Sequence, residues 1–140
     1  MLSRVCSKPV VTAPATATAE EVARIMRTKN VGTVVVVNAG RPIGLVTDRD
    51  IAVDVVALGK DSSTVRVGEI MRKKPIVIGA DQGILDAAKI FAKTSVRRLP
   101  VVSKDGKLVG IIAMDDVIIL LGNEMGHVAA ALSAGLRRAS

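Results

Sequence analysis

Two acidic residues that each follow a short aliphatic run could bind the hydroxyl pair of a sugar. Asp50 ends the sequence Gly-Leu-Val-Thr-Asp-Arg-Asp, and Asp116 ends Gly-Ile-Ile-Ala-Met-Asp-Asp. One ionised carboxylate can accept hydrogen bonds from both hydroxyls of a ribose, and such charge-assisted bonds contribute about 1.5–3 kcal/mol. Each acid lies where a predicted strand passes into a helix, so free backbone N–H groups beside it would favour a phosphate.

A hydroxyl and two guanidinium groups are the candidates for contacting that phosphate. Thr47 supplies the hydroxyl, and Arg97 and Arg98 supply planar donor forks that suit phosphate. The same residues have a purely structural interpretation, because Thr47-x-x-Asp50 also fits a helix capping box. The arginine pair equally fits a solvated surface. Ala113 stands in place of the threonine before Asp116, so the second acid is kept without a capping hydroxyl.

Catalytic chemistry has little support in the sequence. The chain has one cysteine, Cys6, and one histidine, His127, so neither an internal disulfide nor a Cys/His zinc site can be built. A Ser/His/Asp or Cys/His set cannot be assembled convincingly from a single histidine. The glycine patterns of P-loop and Rossmann enzymes are also absent. We therefore expect a binding protein that is not an enzyme and holds no metal.

The composition describes one small folded chain with an aliphatic core. Of 140 residues, 49% are hydrophobic, with one Phe and no Tyr or Trp, which disfavours stacking on single-stranded nucleic acid. The net charge of +7 attracts polyanions. The run Arg72-Lys73-Lys74 is interpreted as a solvated linker. Residues 117–121 are too short an apolar run to span a bilayer, and no targeting segment is visible, so a cytoplasmic protein without membrane contact is expected.

The most informative feature is an internal duplication. The sequence at 44–51 recurs at 110–117, and the stretches at 34–37 and 22–26 recur at 99–102 and 87–91. Periodicity then predicts a β-α-β-β-α order in each half. The predicted helices are 19–29, 48–58, 84–93, 115–121 and 123–138, and the predicted strands are 33–37, 42–47, 76–78, 99–103 and 108–113.

This duplicated pattern resembles the CBS domain, the repeat of cystathionine β-synthase. The resemblance is carried by residues 44–50, by Arg97-Arg98-Leu99-Pro100-Val101-Val102 and by Val67-Gly68-Glu69-Ile70-Met71. The pair is similar to a stand-alone Bateman module. We expect an α/β (α+β) fold in which two β-α-β-β-α repeats pack about a pseudo-twofold axis, followed by a C-terminal helix. The expected divisions are 5–60 for the first repeat, 61–74 for a linker, 75–122 for the second repeat and 123–140 for the C-terminal helix and tail.

The resemblance implies two clefts between the repeats that hold adenosine ligands, with the motif acid on the ribose. It assigns to the first cleft Thr47, Asp50, Met71, Ile76, Arg97 and Arg98. It assigns to the second cleft Val10, Gly32, Thr33 and Asp116. We expect the first cleft to bind more tightly, because the second lacks the threonine and has Gly32-Thr33 in place of the arginine pair.

The function that follows is an adenine-nucleotide sensor or regulatory module, with AMP as its ligand ahead of ADP, ATP, NAD or S-adenosylmethionine. Two alternatives stay open: a basic protein associated with nucleic acid, and an interaction scaffold that binds no ligand. A homodimer is expected because apolar residues follow each motif, in addition to the apolar stripe of the C-terminal helix. Those residues are Ile51, Val55, Val56, Val117, Leu120 and Leu121. The sequence names neither the regulated protein partner nor the pathway.

Overall fold

The computed structural model describes residues 1–139, which form two small sheets flanked by helices. The strands are β1 (Thr12–Ala13), β2 (Thr33–Asn38), β3 (Arg41–Thr47), β4 (Arg72–Lys73), β5 (Ile78–Gly79), β6 (Arg98–Val102) and β7 (Leu108–Ala113). The α-helices are α1 (Ala19–Lys29), α2 (Asp48–Ile51), α3 (Val67–Ile70), α4 (Ile84–Lys93) and α5 (Met114–Ala139). A 3₁₀ turn covers Leu2–Arg4, and a π-helical turn over Ala52–Val56 continues α2. The predicted α/β fold of two similar repeats and a C-terminal helix is confirmed.

The two sheets have the same internal order. In the first sheet β1 runs parallel to β2, and β2 pairs antiparallel with β3. In the second sheet β5 runs parallel to β6, and β6 pairs antiparallel with β7. Both antiparallel pairs contain a register shift, at Val36/Val37 and at Val101/Val102, next to the turns where the two halves of the sequence change offset.

Each sheet is completed by the segment that precedes the other repeat. Strand β4, from the predicted linker, pairs with the outer edge of β3 through Gly44 and Leu45. The N-terminal segment takes the equivalent place on the second sheet, where the Ser7 N–H donates to the Ile111 carbonyl at 2.9 Å. Leu2, on the same segment, is fully buried in the second core. The N-terminus therefore packs with the second repeat, and the linker packs with the first.

Each repeat has its own aliphatic core. In the first, β2 contributes Val34 and Val36 and α1 contributes Val22, all fully buried. In the second, β6 contributes Leu99 and Val101 to the buried cluster that also holds Phe91 of α4. Aliphatic strands buried on both faces, of which β2 is a continuous β-branched run, explain how a chain with one aromatic residue fills two cores.

Three residues that the sequence assigned to a dimer surface are buried inside the chain instead. Ile51, Val55 and Val117 are 9%, 0% and 3% exposed. They lie on the faces of α2, of the π-helical turn after it and of the first turn of α5 that pack against the buried clusters of the chain. Other apolar residues of the same segments are exposed: Val53, Val56, Leu58, Ile118, Ile119 and Leu121.

The two separate C-terminal helices predicted from the sequence are one helix, α5. Gly122, the residue between the two predicted helices, lies within it, because helical geometry tolerates an interior glycine at a cost of about 1 kcal/mol. Ser140, in the predicted C-terminal tail, lies outside the described residues. By length and composition alone, Met114–Arg138 could cross a membrane, because the apolar run at 117–121, predicted to be too short to span a bilayer, continues into the rest of α5.

Candidate functional site

The junction between β3 and α2 holds the first motif in a fixed geometry. The backbone N–H of Asp50 donates to Thr47 Oγ1 at 3.1 Å, and the backbone N–H of Thr47 donates to Asp50 Oδ2 at 2.9 Å. This pair of bonds is the reciprocal capping box that the sequence allowed as one interpretation. It orients both side chains at the start of α2 and satisfies two backbone donors there.

The second motif keeps half of that arrangement. The Ala113 N–H donates to Asp116 Oδ2 at 3.1 Å. The reciprocal bond is missing, because the methyl group of Ala113 cannot accept a hydrogen bond from the Asp116 N–H. Asp116 therefore has the same orientation as Asp50 at the start of its helix. A further similarity links the junctions, because the Asp48 N–H donates to the Gly32 carbonyl at 3.0 Å and the Met114 N–H donates to the Arg97 carbonyl at 2.9 Å. Gly32 and Arg97 hence occupy equivalent places.

The first cleft is an open cavity of about 620 Å³ between the repeats. Its walls come from the β3–α2 junction, from the segment after β4 and from the start of β6. Small-molecule sites have volumes of about 300–1,000 Å³, so a nucleotide fits. The lining residues are Gly32, Thr33, Leu45, Thr47, Asp48, Arg49, Arg72, Lys73, Lys74, Pro75, Ile76, Ser95, Val96, Arg97 and Arg98.

The second cleft is smaller, at about 340 Å³, and lies between the N-terminal segment and the β7–α5 junction. Gly32, Thr33 and Arg98 line both clefts, so the two cavities adjoin. The lining residues are Ser7, Pro9, Val10, Val11, Asn30, Val31, Gly32, Thr33, Arg98, Ile111, Ala113, Asp115 and Asp116.

The structure brings together most of the residues predicted for the two clefts. Thr47, Ile76, Arg97 and Arg98 line the first cleft, whereas Asp50 and Met71 do not. Asp50 turns one oxygen back to the Thr47 N–H, and Met71 packs over Gly44, where a Cβ would overlap its sulfur. All four residues predicted for the second cleft line it: Val10, Gly32, Thr33 and Asp116.

Sequence reasoning missed part of the first cleft's charge. The run Arg72-Lys73-Lys74, interpreted as a solvated linker, lines the cleft because β4 pairs with β3 and directs the run to its edge. Arg49, inside the motif, lines it too. The signal for its place was available, because the run directly follows residues 67–71, one of the stretches that resemble the CBS domain.

The two clefts therefore differ sharply in charge. Six basic side chains line the first cleft beside a single carboxylate, Asp48: Arg49, Arg72, Lys73, Lys74, Arg97 and Arg98. In the second cleft Arg98 stands beside two carboxylates, those of Asp115 and Asp116. Ser7, Pro9, Gly32 and Thr33 occupy the places that basic residues hold in the first, as the repeat offset shows. A positive, partly enclosed surface concentrates anions.

Curated proteins from prokaryotes are related to this chain in sequence. A protein of Methanopyrus kandleri is 37% identical over 118 residues, which are 84% of this chain and 60% of that protein. The CBS domain-containing protein YhcV of Bacillus subtilis is 36% identical over 113 residues, which are 81% of this chain and 77% of that protein. The chain thus spans less than two thirds of the Methanopyrus relative.

Solved structures share the fold. The CBS domain pair of the protein MJ0100, in complex with 5′-methylthioadenosine and S-adenosyl-L-methionine, matches with a TM-score of 0.78 and 27% identity, covering 89% of this chain and 97% of that one. The CBS domain protein PAE2072 of Pyrobaculum aerophilum, complexed with AMP, matches with a TM-score of 0.76 and 29% identity, covering 87% and 98%. The hexameric CBS-CP12 protein of bloom-forming cyanobacteria matches at 0.74 and 34%, covering 84% and 65%.

The family model that describes the CBS domain matches this chain twice, over residues 2–56 and 67–123. The first match contains β1, β2 and β3, the second contains β5, β6 and β7 together with β4, and both cleft motifs fall inside the matches. The chain belongs to the CBS domain family and carries a pair of CBS domains.

Proposed function

We propose that this chain binds an adenine nucleotide, AMP before others, in the first cleft and acts as a regulatory module without catalysis. The observation that carries the proposal is the charge difference between two clefts of equivalent construction. Six basic side chains surround the first, where the second has one arginine and two acids. A phosphate would be attracted to the basic cleft and repelled by the acidic one, so we place the phosphorylated ligand in the first cleft.

The remaining parts of the site suit the nucleoside. Ile76, Val96 and Leu45 give the first cleft apolar wall for a base, and the Thr47 hydroxyl lies on the same cavity. Asp50 does not itself line the cavity, but it directly follows Thr47, Asp48 and Arg49, which do. Its second carboxylate oxygen, Oδ1, is the proposed ribose acceptor, since Oδ2 is engaged with the Thr47 N–H. Met71 supports the cleft without lining it, because it packs on Gly44 and holds β4 against β3.

Similar proteins support the ligand class. One CBS pair of the same fold was solved with AMP and another with 5′-methylthioadenosine and S-adenosyl-L-methionine. In the second cleft, Asp116, Val10, Gly32 and Thr33 would hold an adenosine ligand more weakly. Ala113 lacks the motif hydroxyl there, and Arg98 is the one basic side chain beside two carboxylates. We place this adenine-nucleotide-binding module in the cytoplasm, where those nucleotides are made and used.

Calorimetric titration with AMP, ADP, ATP, NAD, S-adenosylmethionine and adenosine tests the proposal. We expect AMP to bind with one dominant site and adenosine to bind more weakly. At a hundred times its Kd, a ligand of the folded state stabilises it by about 2.7 kcal/mol, so the melting temperature should rise with AMP. Binding of adenosine as tight as that of AMP would contradict the assignment of phosphate to the basic cleft.

Nucleic acid is the second candidate ligand, favoured by the basic edge of the first cleft and a sequence pI of about 10.1. Binding to DNA or RNA should be measured at two salt concentrations with and without AMP. If the proposal holds, nucleic acid binds weakly, loses affinity steeply with salt and is displaced by AMP from the shared cations. Tight binding that AMP leaves unchanged would favour the alternative.

We also propose that the chain forms a homodimer. The exposed apolar residues on the outer faces of the helices after each motif, Val53, Val56, Ile118 and Ile119, are 46–68% exposed. Contiguous apolar surface on a small protein marks an interaction site. A monomeric mass by light scattering at micromolar concentration would contradict this proposal without affecting the nucleotide site.

A further inference from the structure

The second half of α5 is an apolar helix surface that the chain itself does not cover. Residues 121–138 are exposed, apart from the half-buried Ala134. Met125, Val128, Leu132 and Leu136 are between 56% and 71% exposed. The start of the same helix is fixed to the second core by Val117, which is 3% exposed. The helix therefore projects from a folded module with its apolar stripe in solvent.

Three glycines in this stretch, Gly122, Gly126 and Gly135, make no contact that would need a glycine. Apart from the neighbouring turns of the helix itself, a Cβ built at any of them meets nothing within 4 Å in the described part of the chain. Each glycine costs a helix about 1 kcal/mol relative to alanine, and a helix without tertiary support is marginal in water. Gly126 lies away from the apolar stripe, whereas Gly122 and Gly135 border it and leave space there for a partner.

The spacing of the stripe is that of a two-helix contact. Ile118, Leu121, Met125, Val128 and Leu132 follow one another at alternate intervals of three and four residues. This is the pattern by which two helices pack along a shared seam. Beside it lies a shallow groove of about 410 Å³, lined by Val128, Ala131, Leu132, Gly135 and Leu136.

We propose that the exposed half of α5 pairs antiparallel with α5 of a second copy of this chain. A single register satisfies the features of this surface. When Met125 of the partner subunit enters the groove over Gly135, Val128 comes level with Leu132 of the partner subunit. Leu136 of the partner subunit then lies over Gly122, and the two Ala131 side chains meet at the twofold axis. Large residues face glycines, and the flexible methionine fills the groove.

Charge supports the same direction of pairing. In this register Glu124 lies beside Arg138 of the partner subunit, and the twofold axis generates the contact a second time. A parallel pair would instead place the two Glu124 side chains at one level and the two Arg138 side chains at another. Glu124 and the basic end of α5 are thus complementary only when the helices run in opposite directions.

A bilayer is a poorer occupant of this surface. Glu124 and His127 lie in the middle of the exposed stretch, where an ionised group is costly in hydrocarbon. The first turn of the helix is also held by the second core through Val117. A second copy leaves both polar side chains at the rim, in water.

Site-specific cross-linking of the full chain tests the pairing. In a Cys6→Ala background, Glu124→Cys and Arg138→Cys proteins are coexpressed, purified together and oxidised. We expect a disulfide-linked heterodimer from the coexpressed pair and none from either variant alone, because equal positions lie ~21 Å apart along an antiparallel pair in this register. Ala131→Cys, at the axis, should cross-link to itself, and Asn123→Cys, on the outer face, should not.

A Leu132→Glu change in each cysteine variant should abolish the cross-link while AMP titration is unchanged, since Leu132 lines neither cleft. Cross-linking of Glu124→Cys to itself would overturn the antiparallel direction. Absence of cross-linking in every variant would overturn the pairing, as would flotation of the cysteine-free protein with mixed phosphatidylcholine and phosphatidylglycerol vesicles. None of these results bears on the nucleotide proposal, which the AMP titration decides separately.

Discussion

Thr47 and Asp50 each accept a hydrogen bond from the other's backbone N–H, at 3.1 and 2.9 Å, across the start of α2. The helix cap and the proposed ligand contact can therefore coexist, because each uses a different oxygen of the Asp50 carboxylate. Oδ2 caps the helix, and Oδ1 is the atom proposed for the ribose. The cap holds the carboxylate in place before any ligand arrives.

Asp50→Asn should separate the two roles. The amide oxygen can still accept from the Thr47 N–H, so thermal stability without ligand should barely change. Loss of the charge and of one acceptor removes a charge-assisted bond, so AMP affinity should fall roughly tenfold. Asp116→Asn should have a smaller effect on AMP. Calorimetry and thermal unfolding of both variants measure these outcomes.

Asp86 offers a matched control for the cap. Its Oδ2 accepts from the Gly83 N–H at 3.0 Å at the start of α4, and it lines neither cleft. Asp86→Ala and Asp50→Ala should each lower the free energy of unfolding by about 1 kcal/mol, the typical loss of a cap. Only Asp50→Ala should also weaken AMP. If Asp50→Ala costs stability but leaves AMP affinity intact, the carboxylate is a cap alone.

Arg97 and Arg98 should be distinguishable although they are adjacent. Arg97 lines the first cleft, whereas Arg98 lines both. Arg97→Ala should weaken AMP more than adenosine, because the guanidinium acts on the phosphate through charge. Arg98→Ala should weaken any ligand of the second cleft as well. Titrations that resolve two sites, compared between the variants, check the difference, and identical effects on both sites would contradict it.

The basic run after α3 should govern the salt dependence of binding. Replacing Lys73 and Lys74 by Gln removes two exposed charges from the edge of the first cleft. AMP affinity should fall modestly, and its decline with added salt should become shallower, because screened long-range attraction is what has been removed. Lys104→Gln and Lys107→Gln, in the turn before β7 and away from the clefts, form the control pair. An unchanged salt slope would show that the run is a solvated linker.

Much of the fold was predictable because it is local. Helices α1 and α4 and strand β7 have the predicted bounds, since each is specified by its own periodicity and by a turn on either side. The β3–α2 junction was also within reach, because a capping box spans only four residues. Both interpretations of Thr47-x-x-Asp50 came from that short window.

The features that sequence missed depend on contacts between distant segments. Strand β4 is two residues long and has no pattern of its own; it exists because Met71 and Arg72 reach Gly44 and Leu45. The burial of Ile51, Val55 and Val117 likewise follows from which face of each helix meets the core. The residues next to β4 do not specify its pairing register, and the residues next to Ile51, Val55 and Val117 do not specify which helix face is buried.

The close approaches at Gly44 and Gly110 give the last prediction, because the two glycines begin equivalent motifs. A Cβ at Gly44 would overlap the sulfur of Met71 and lie 3.1 Å from the Arg72 carbonyl oxygen. A Cβ at Gly110 would overlap the sulfur of Cys6 and lie 3.0 Å from its Cβ. Each alanine variant should lose about 1–3 kcal/mol of unfolding free energy through overpacking.

The two variants should differ in rescue and in function. Cys6→Gly should restore much of the stability of Gly110→Ala, because it removes the atoms that collide. Met71→Ala should restore only part of that of Gly44→Ala, because the Arg72 carbonyl belongs to the backbone. Gly44→Ala should also weaken AMP, since it displaces β4 and with it the basic run, whereas Gly110→Ala should not. Gly83→Ala, whose Cβ would meet only Asp86 Oδ2 at 3.8 Å, is the control for stability. Equal loss of AMP binding in the Gly44 and Gly110 variants, measured by calorimetry well below the melting temperature, would contradict the link between β4 and the first cleft.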